Sequence, residues 1–370
     1  MSDTIEKIVM PKWGLAMQEG MVAKWHVAEG DAVEKGQEIV DIETSKIANV
    51  FESPVAGPVR KLVTGEGETV PVGYLLAVIA PTSVDDAAVD AFVADFKENF
   101  VVEDAAAGGP EPELVETASG NINVLAMGEG EATPIVFIHG FGGDLNNWMF
   151  NQEELCGDRV TYAIDLPGHG RSTKDVGSGD PGTLAEAVTA FMEAKGIDKA
   201  HLVGHSMGGA VALGLALEKP DRVASVTAIA TGALGAEINM DYINGFIAEK
   251  RAKKLRPVLE MLVHDPALIS KDMVEDVLKF KRLDGVDAAL AALRDGCFPG
   301  GRQAAILRDR LAELKVPTRV IVGKADQILP AGHAEGLPAT IEVTVFDDAG
   351  HMPHMEKAAE VNELIRAQTR

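Results

Sequence analysis

With 370 residues the chain is long enough for two domains, one of them with a large core. A formal net charge of −23 and a sequence pI near 4.8 argue against nucleic acid and anionic lipid as partners. Two cysteines, Cys156 and Cys297, make no disulfide framework, the first residues lack a signal-peptide pattern, and no apolar run reaches the roughly 18 residues of a membrane span, so a cytoplasmic protein is expected.

The first 80 residues contain an internal repeat. Gly20–Ile42 overlays Gly57–Ile79 without gaps at an offset of 37 residues, matching at Gly20/Gly57, Val22/Val59, Lys24/Lys61, Glu29/Glu66, Gly30/Gly67, Val33/Val70, Gly36/Gly73 and Ile42/Ile79. Each copy reads as a strand, a Glu-Gly turn, a short strand, a second glycine turn and a strand. Two such halves predict a small all-β sandwich with a pseudo-twofold axis. The first half ends in Asp41-Ile42-Glu43-Thr44-Ser45-Lys46-Ile47-Ala48, where a polar break between two apolar runs places Lys46 at an exposed hairpin tip. A turn lysine is ordinarily only a solvated cation; the repeat and the tip position set this one apart.

The segment resembles the lipoyl domain of 2-oxo-acid dehydrogenase complexes, and Glu43-Thr44-Ser45-Lys46 is similar to that domain's Glu-Thr-Asp-Lys attachment motif, with Ser45 where aspartate is usual. The related biotinyl domain carries methionine on both sides of its lysine, and Ser45 and Ile47 are not methionine. The resemblance therefore implies lipoate, covalently attached to Lys46. A tethered acyl-carrying arm raises the effective concentration of its cargo at a nearby site.

Residues 81–117 are rich in Asp, Glu, Ala and Pro, and Lys97 is their only basic residue. This reads as an acidic linker. Within it Val89, Phe92, Val93, Phe96 and Phe100 recur at helical spacing. Two readings stand: a helix packed on its own neighbour, or a docking helix for another subunit. The peripheral subunit-binding domain that usually follows a lipoyl domain has no match here.

From residue 118 to 370, apolar runs alternate with helical patterns, which predicts an α/β domain with a mostly parallel sheet. Leu114–Thr117 and Ile122–Leu125 suit an opening hairpin. The buried strand Ile135–Ile138 runs into the small-residue loop His139-Gly140-Phe141-Gly142-Gly143. Tyr162–Asp165 is a strand before Leu166-Pro167-Gly168-His169-Gly170-Arg171-Ser172, in which His169 and Ser172 are poor catalytic candidates; His139 reads as structural. A helix over Thr183–Lys195 precedes the strand Ala200–Val203, which meets Gly204-His205-Ser206-Met207-Gly208 and a small-residue helix. A G-x-S-x-G match in this strand–turn–helix context makes a nucleophile elbow, and Ser206 at a helix N-terminus lies where negative charge is favoured.

About residues 232–301 break the alternation; mostly helical, they read as a lid inserted over the active site. Lys250, Arg251, Lys253, Lys254 and Arg256 form there the densest basic cluster of the chain, either a solvated helix face or a landing patch for coenzyme A phosphates or an acidic lipoyl domain. The strand Thr318–Val322 leads to Asp326, and Ile341–Phe346 leads to His351. Ser206, Asp326 and His351 each lie just beyond a strand end. Serine needs a base to become a nucleophile, imidazole titrates near neutrality, and a carboxylate sets its tautomer. His333 and His354 are rivals for the base, and Asp347 or Asp348 for the acid.

This order and spacing resemble the α/β-hydrolase fold, whose oxyanion loop falls on His139–Gly143; the resemblance implies the backbone N–H groups of Phe141 and Met207 as the oxyanion donors. The fusion of both modules resembles the acetyltransferase component of bacterial acetoin dehydrogenase complexes over nearly the whole chain. That implies acetyl transfer from S-acetyldihydrolipoyl-Lys46 to coenzyme A, beside a thiamine-diphosphate-dependent acetoin-cleaving component and dihydrolipoamide dehydrogenase, and leaves homo-oligomerisation open. The His-Arg-x-x-Asp-Gly motif of the usual lipoyl acyltransferases is missing, so the triad must supply the chemistry. Competing readings are a carboxylester or C–C bond hydrolase carrying a lipoyl domain, and a non-catalytic scaffold.

Overall fold

The computed structural model describes residues 5–11, 13, 17–44, 48–100 and 110–370. They divide into two compact units, one drawn chiefly from the first hundred residues and one chiefly from Pro110 onward.

The N-terminal unit is built from β1 (Glu6–Val9), β2 (Glu19–Trp25), β3 (Ala32–Val33), β4 (Glu38–Glu43), β5 (Ala48–Glu52), β6 (Gly57–Leu62), β7 (Thr69–Pro71) and β8 (Leu75–Ile79). They form two four-stranded sheets, ordered β1-β8-β6-β3 and β5-β4-β2-β7. The repeat explains this order: each copy keeps its long strands in one sheet and sends its short middle strand to the other copy, β3 onto β6 and β7 onto β2. The main-chain bonds are reciprocal at the same offset. Gly30 N–H donates to Val59 C=O and Gly67 N–H to Val22 C=O, both at 2.7 Å. Gly30 and Gly67 hold φ of 97° and 81°, a left-handed turn that glycine enters without steric cost. Ile8, Val22, Ile42, Val59, Leu76 and Ile79 fill the core.

The helix α1 (Asp86–Asn99) starts on an Asp85 cap that accepts from Ala88 N–H. Its apolar stripe is buried within its own unit, Val89 and Val93 packing with Leu75 and Val78. The outer face of β8 is apolar and needs a cover. Arg60 of β6 fixes the approach, donating to the Pro81 and Val84 carbonyls and pairing with Asp86. Val89 and Val93 are therefore occupied inside the N-terminal unit rather than offered to another subunit, and the first half of the segment read as linker is part of that unit.

The C-terminal unit holds an eight-stranded sheet of β9 (Glu113–Thr117), β10 (Gly120–Met127), β11 (Ile135–Ile138), β12 (Thr161–Ile164), β13 (Ala200–His205), β14 (Val223–Ile229), β15 (Thr318–Gly323) and β16 (Ile341–Phe346). Its order is β16-β15-β14-β13-β11-β12-β10-β9. β9, β10 and β12 pair antiparallel; every pairing from β12 to β16 is parallel. β11 and β13 are buried along their whole length, as strands covered on both faces must be. Helix α2 (Pro181–Ala194) is capped by Asp180, and α3 (Met207–Glu218) packs on β13 and β14.

Between β14 and β15 the chain forms α4 (Met240–Ala248), α5 (Ala252–Glu260), α6 (Lys271–Phe280) and α7 (Val286–Cys297). In the basic cluster Lys250 pairs with Asp287 and Arg256 with Glu260, while Arg251, Lys253 and Lys254 are exposed and make no ion pair among the described residues. Two helices, α8 (Pro353–Glu356) and α9 (Ala358–Gln368), end the unit.

Candidate active site

β13 delivers Ser206 onto a turn with φ 54° and ψ −116°, a region that ordinarily costs a non-glycine residue about 1–3 kcal/mol. The surroundings enforce it. A Cβ at Gly204 would lie 2.3 Å from Gly208 O, and one at Gly208 would lie 2.2 Å from Ile138 O. Only glycine at both positions lets α3 start so close to β11 and β13. Ser206 N–H donates to Ile229 C=O at 2.9 Å, and Ser206 C=O accepts from Gly232 N–H at 2.9 Å.

Met207 is the first residue of α3, so its N–H has no helical acceptor. Phe141, in the loop after β11, likewise donates no main-chain bond, and both amides are unpaired among the described residues. Gly140 packs against Ser206, where a Cβ would meet the serine Cβ at 2.9 Å. Met207 adjoins Ser206 along the chain, and Phe141 adjoins the Gly140 that packs on it.

His351, beyond β16, donates from Nδ1 to Asp326 Oδ2 at 2.7 Å, with both side chains almost sealed from solvent. The His351 loop is pinned by Glu356, whose Oε1 accepts from the N–H groups of Gly350 and Met352 and whose Oε2 accepts from His264 N–H. Burial raises the Glu356 carboxyl above its ordinary range, partly offset by these amides. His205 joins the two halves of the site: its Nε2–H donates to His351 C=O at 2.8 Å, and the two rings lie 4.8 Å apart. No hydrogen bond links Ser206 Oγ to His351 Nε2 among the described residues; such bonds are commonly long without substrate and tighten as it binds.

The rivals are engaged elsewhere. His354 is fully buried between Trp148 and His205, at centroid distances of 4.7 and 4.6 Å, and burial pushes its pKa down to about 3. His333 pairs with Glu237, Asp347 with Lys324 and Asp348 with Lys357. His139 and His169 are buried imidazoles held below their ordinary range, first of all by that burial.

A small cavity opens beside Ser206, lined among others by Met207, Cys297, Phe298, Gln303 and Leu329, with room for about one methyl- or water-sized group. Cys297 is no competing nucleophile: its thiol donates to Gly179 C=O, and burial pushes its pKa up to about 12. Glu356, His205 and Gln303 escaped sequence reasoning. His205 lies inside the serine motif, but its partner stands 146 residues away.

Lys46 lies outside the described residues. The strands on either side are described: β4 and β5 pair antiparallel up to Glu43↔Ala48. Among the described residues no group of His, Cys, Asp or Glu could hold a metal ion, and no helix is long and apolar enough to cross a membrane.

Comparison with known proteins agrees with both units. Residues 6–79 match a biotin-requiring enzyme family, and residues 133–358 match the alpha/beta hydrolase fold. The chain is 45% identical over 365 residues to the dihydrolipoyllysine-residue acetyltransferase component of the acetoin cleaving system of Pseudomonas putida, covering 98% of each. It is 44% identical to the protein of that name in Cupriavidus necator, covering 99% of this chain and 97% of that one. A 2-hydroxy-6-oxo-6-phenylhexa-2,4-dienoate hydrolase of Burkholderia cepacia is 30% identical over 66% of this chain and 89% of its own. In fold the chain is similar to a meta-cleavage product hydrolase from Pseudomonas fluorescens IP01, with a TM-score of 0.62 and 22% identity over 68% of this chain and 95% of that one. A lipoyl-type module and a hydrolase-fold module joined in one polypeptide, matched end to end by the two acetyltransferases, place the chain in the family of dihydrolipoyllysine-residue acetyltransferase components of acetoin cleaving systems.

Proposed function

We propose that this chain transfers an acetyl group from S-acetyldihydrolipoyl-Lys46 to coenzyme A through an acyl-enzyme on Ser206. The observation that supports the reading is the set of groups at Ser206: a hydroxyl on a strained turn, the unpaired amide of the next residue, Met207, the packed Gly140 followed by the unpaired amide of Phe141, and a buried histidine–aspartate pair whose main chain His205 holds. Lipoate on Lys46 supplies the thiol that presents the acetyl group as a thioester. Ser206 Oγ attacks the thioester carbonyl, giving its proton to His351 Nε2. The N–H groups of Phe141 and Met207 stabilise the tetrahedral oxyanion; losing one such donor typically costs about 3 kcal/mol of barrier. The C–S bond breaks and His351 returns the proton to the departing thiol. His351 then takes the proton of the coenzyme A thiol, whose sulfur attacks the Ser206 ester, and hands it back to Ser206 Oγ as the ester breaks. The cavity beside Ser206 has room for the acetyl methyl.

As a component of an acetoin cleaving system, the chain works with further enzymes: a thiamine-diphosphate-dependent component to load the arm, and dihydrolipoamide dehydrogenase to reoxidise it. The test is Ser206→Ala assayed with S-acetyldihydrolipoamide and coenzyme A. Loss of acetyl-coenzyme A formation is expected, and retained turnover sinks the acyl-enzyme route. Acetate release without coenzyme A dependence in the unmodified chain marks a hydrolase instead.

A further inference from the structure

The loop that carries the Phe141 amide is gripped by side chains the reaction itself does not call on. Gly142 N–H donates to His169 Nε2 at 3.0 Å, and His169 Nδ1–H donates to Pro167 C=O at 3.2 Å. On the other end of the same peptide, the Tyr242 hydroxyl of α4 donates to Phe141 C=O at 3.3 Å. Phe246, one turn further along α4, packs edge-on to Phe141 with centroids 6.0 Å apart, and a Cβ on Gly142 would lie 2.6 Å from its ring. The preceding peptide is tied as well. Gly140 C=O accepts from His139 Nδ1–H at 2.7 Å and from Gly143 N–H at 3.1 Å, while His139 Nε2 accepts from Leu166 N–H at 3.0 Å.

We infer that His169 and Tyr242 are positioning residues for the oxyanion hole: they clamp the Phe141–Gly142 peptide at its amide and its carbonyl, and together with the bonds that hold Gly140 C=O in the preceding peptide they fix the direction of the Phe141 N–H. The inference rests on the proposed role of that N–H. A stretch with glycine on both sides of Phe141 has many conformations open to it, and they point the Phe141 amide in different directions. Electrostatic stabilisation is effective when the donor is already aimed and pays no reorganisation during the reaction. With the carbonyls of Gly140 and Phe141 both tied, the peptide planes on either side of the Phe141 Cα are set. His169 does this from the Pro-Gly-His-Gly turn after β12, which gives that motif a task beyond shaping the fold. Tyr242 does it from the helical insertion, so the donor is aligned only while α4 is seated on the loop.

The experiment compares His169→Leu, His169→Gln and Tyr242→Phe in the full chain, with Ser206→Ala alongside. Each is assayed for acetyl transfer from S-acetyldihydrolipoamide to coenzyme A and for binding of a trifluoromethyl ketone analogue of the thioester, which forms the tetrahedral oxyanion. His169→Leu should lower kcat by about 10- to 100-fold, and Tyr242→Phe by about 3- to 10-fold, with KM within twofold, since a misaimed donor loses part of what a deleted one loses. Analogue affinity should fall in step with kcat/KM. Glutamine at 169 offers an acceptor oxygen and should recover most of the loss. The inference is overturned if kcat is unchanged, or if kcat falls while analogue affinity and the glutamine variant show no matching change. Should His169→Leu fail to fold, Tyr242→Phe decides alone. Turnover by Ser206→Ala would instead remove the acyl-enzyme reading, a result separate from any loss in the other variants.

Discussion

Asp326 holds His351 through one carboxylate oxygen and the main chain through the other. Oδ2 accepts from His351 Nδ1–H, while Oδ1 accepts from the N–H groups of Ile328 and Leu329 at 2.7 and 2.9 Å. The two amides fix which oxygen faces the imidazole. In Asp326→Asn they will claim the new side-chain oxygen and turn the NH₂ toward His351. Nδ1 must then accept, the proton moves to Nε2, and the ring can no longer take the Ser206 proton. We expect kcat to fall by about 10³–10⁴-fold with KM and melting temperature little changed. Steady-state kinetics beside calorimetry checks this; a loss below tenfold would mean that Asp326 does not set the tautomer.

The turn around Ser206 makes a sharper demand on size than on polarity. Gly208→Ala drives a methyl into Ile138 O, a backbone atom that cannot rotate away. Overpacking of this kind costs about 1–3 kcal/mol or more, and here it also pushes α3 off β11. The expected outcome is a lower melting temperature together with loss of labelling at Ser206 by a serine-reactive phosphonate. Wild-type labelling would show that the helix start has slack.

In the N-terminal unit, Glu29 and Glu66 perform one task for each other's repeat. Glu29 Oε1 accepts from Leu62 N–H and Glu66 Oε1 from Trp25 N–H, each at 2.8 Å and each crossing from one copy to the other. Both bonds are solvent-exposed, so each is worth about 1 kcal/mol. Glu29→Ala and Glu66→Ala should therefore destabilise the unit by equal amounts, read as matched shifts in the calorimetric unfolding of the full chain. Unequal shifts would show that the repeat symmetry does not extend to energetics.

Buried imidazoles make the C-terminal unit acid-sensitive. His354 binds a proton in the unfolded chain below its ordinary value of 6.5 but in the folded chain only near 3, because burial disfavours its cation. Its contribution is complete above about pH 6.5 and is lost as pH falls toward 3, at about 1.4 kcal/mol per pH unit. His169 and His205 are shifted in the same direction, also chiefly by burial. Urea midpoints should drop between pH 7 and pH 5, and His354→Leu should flatten that drop. A pH-independent midpoint would argue that these rings are protonated in the fold.

Much of this architecture is written in local patterns. The offset of 37 residues specifies two equivalent sets of strands, because identical glycines at 30, 36, 67 and 73 force the same left-handed turns in both copies. The serine motif specifies its own turn, since only Gly204 and Gly208 leave room for the crossing backbones. Ser206, Asp326 and His351 could be named from chain order because each follows a strand end, where a parallel sheet gathers its loops. What local pattern could not decide is which of several like groups is used. His333, His351 and His354 are similar in sequence context, and only packing pairs the first with Glu237, seals the last beside Trp148 and leaves His351 on Asp326. The stripe on α1 has the same spacing whether it serves a partner or its own sheet; Leu75 and Val78, lying bare on β8, decide that. The clamp of His169 and Tyr242 on one peptide has no trace in the sequence, because its members come from three separate segments and the direction of an N–H depends on planes that only the folded chain sets.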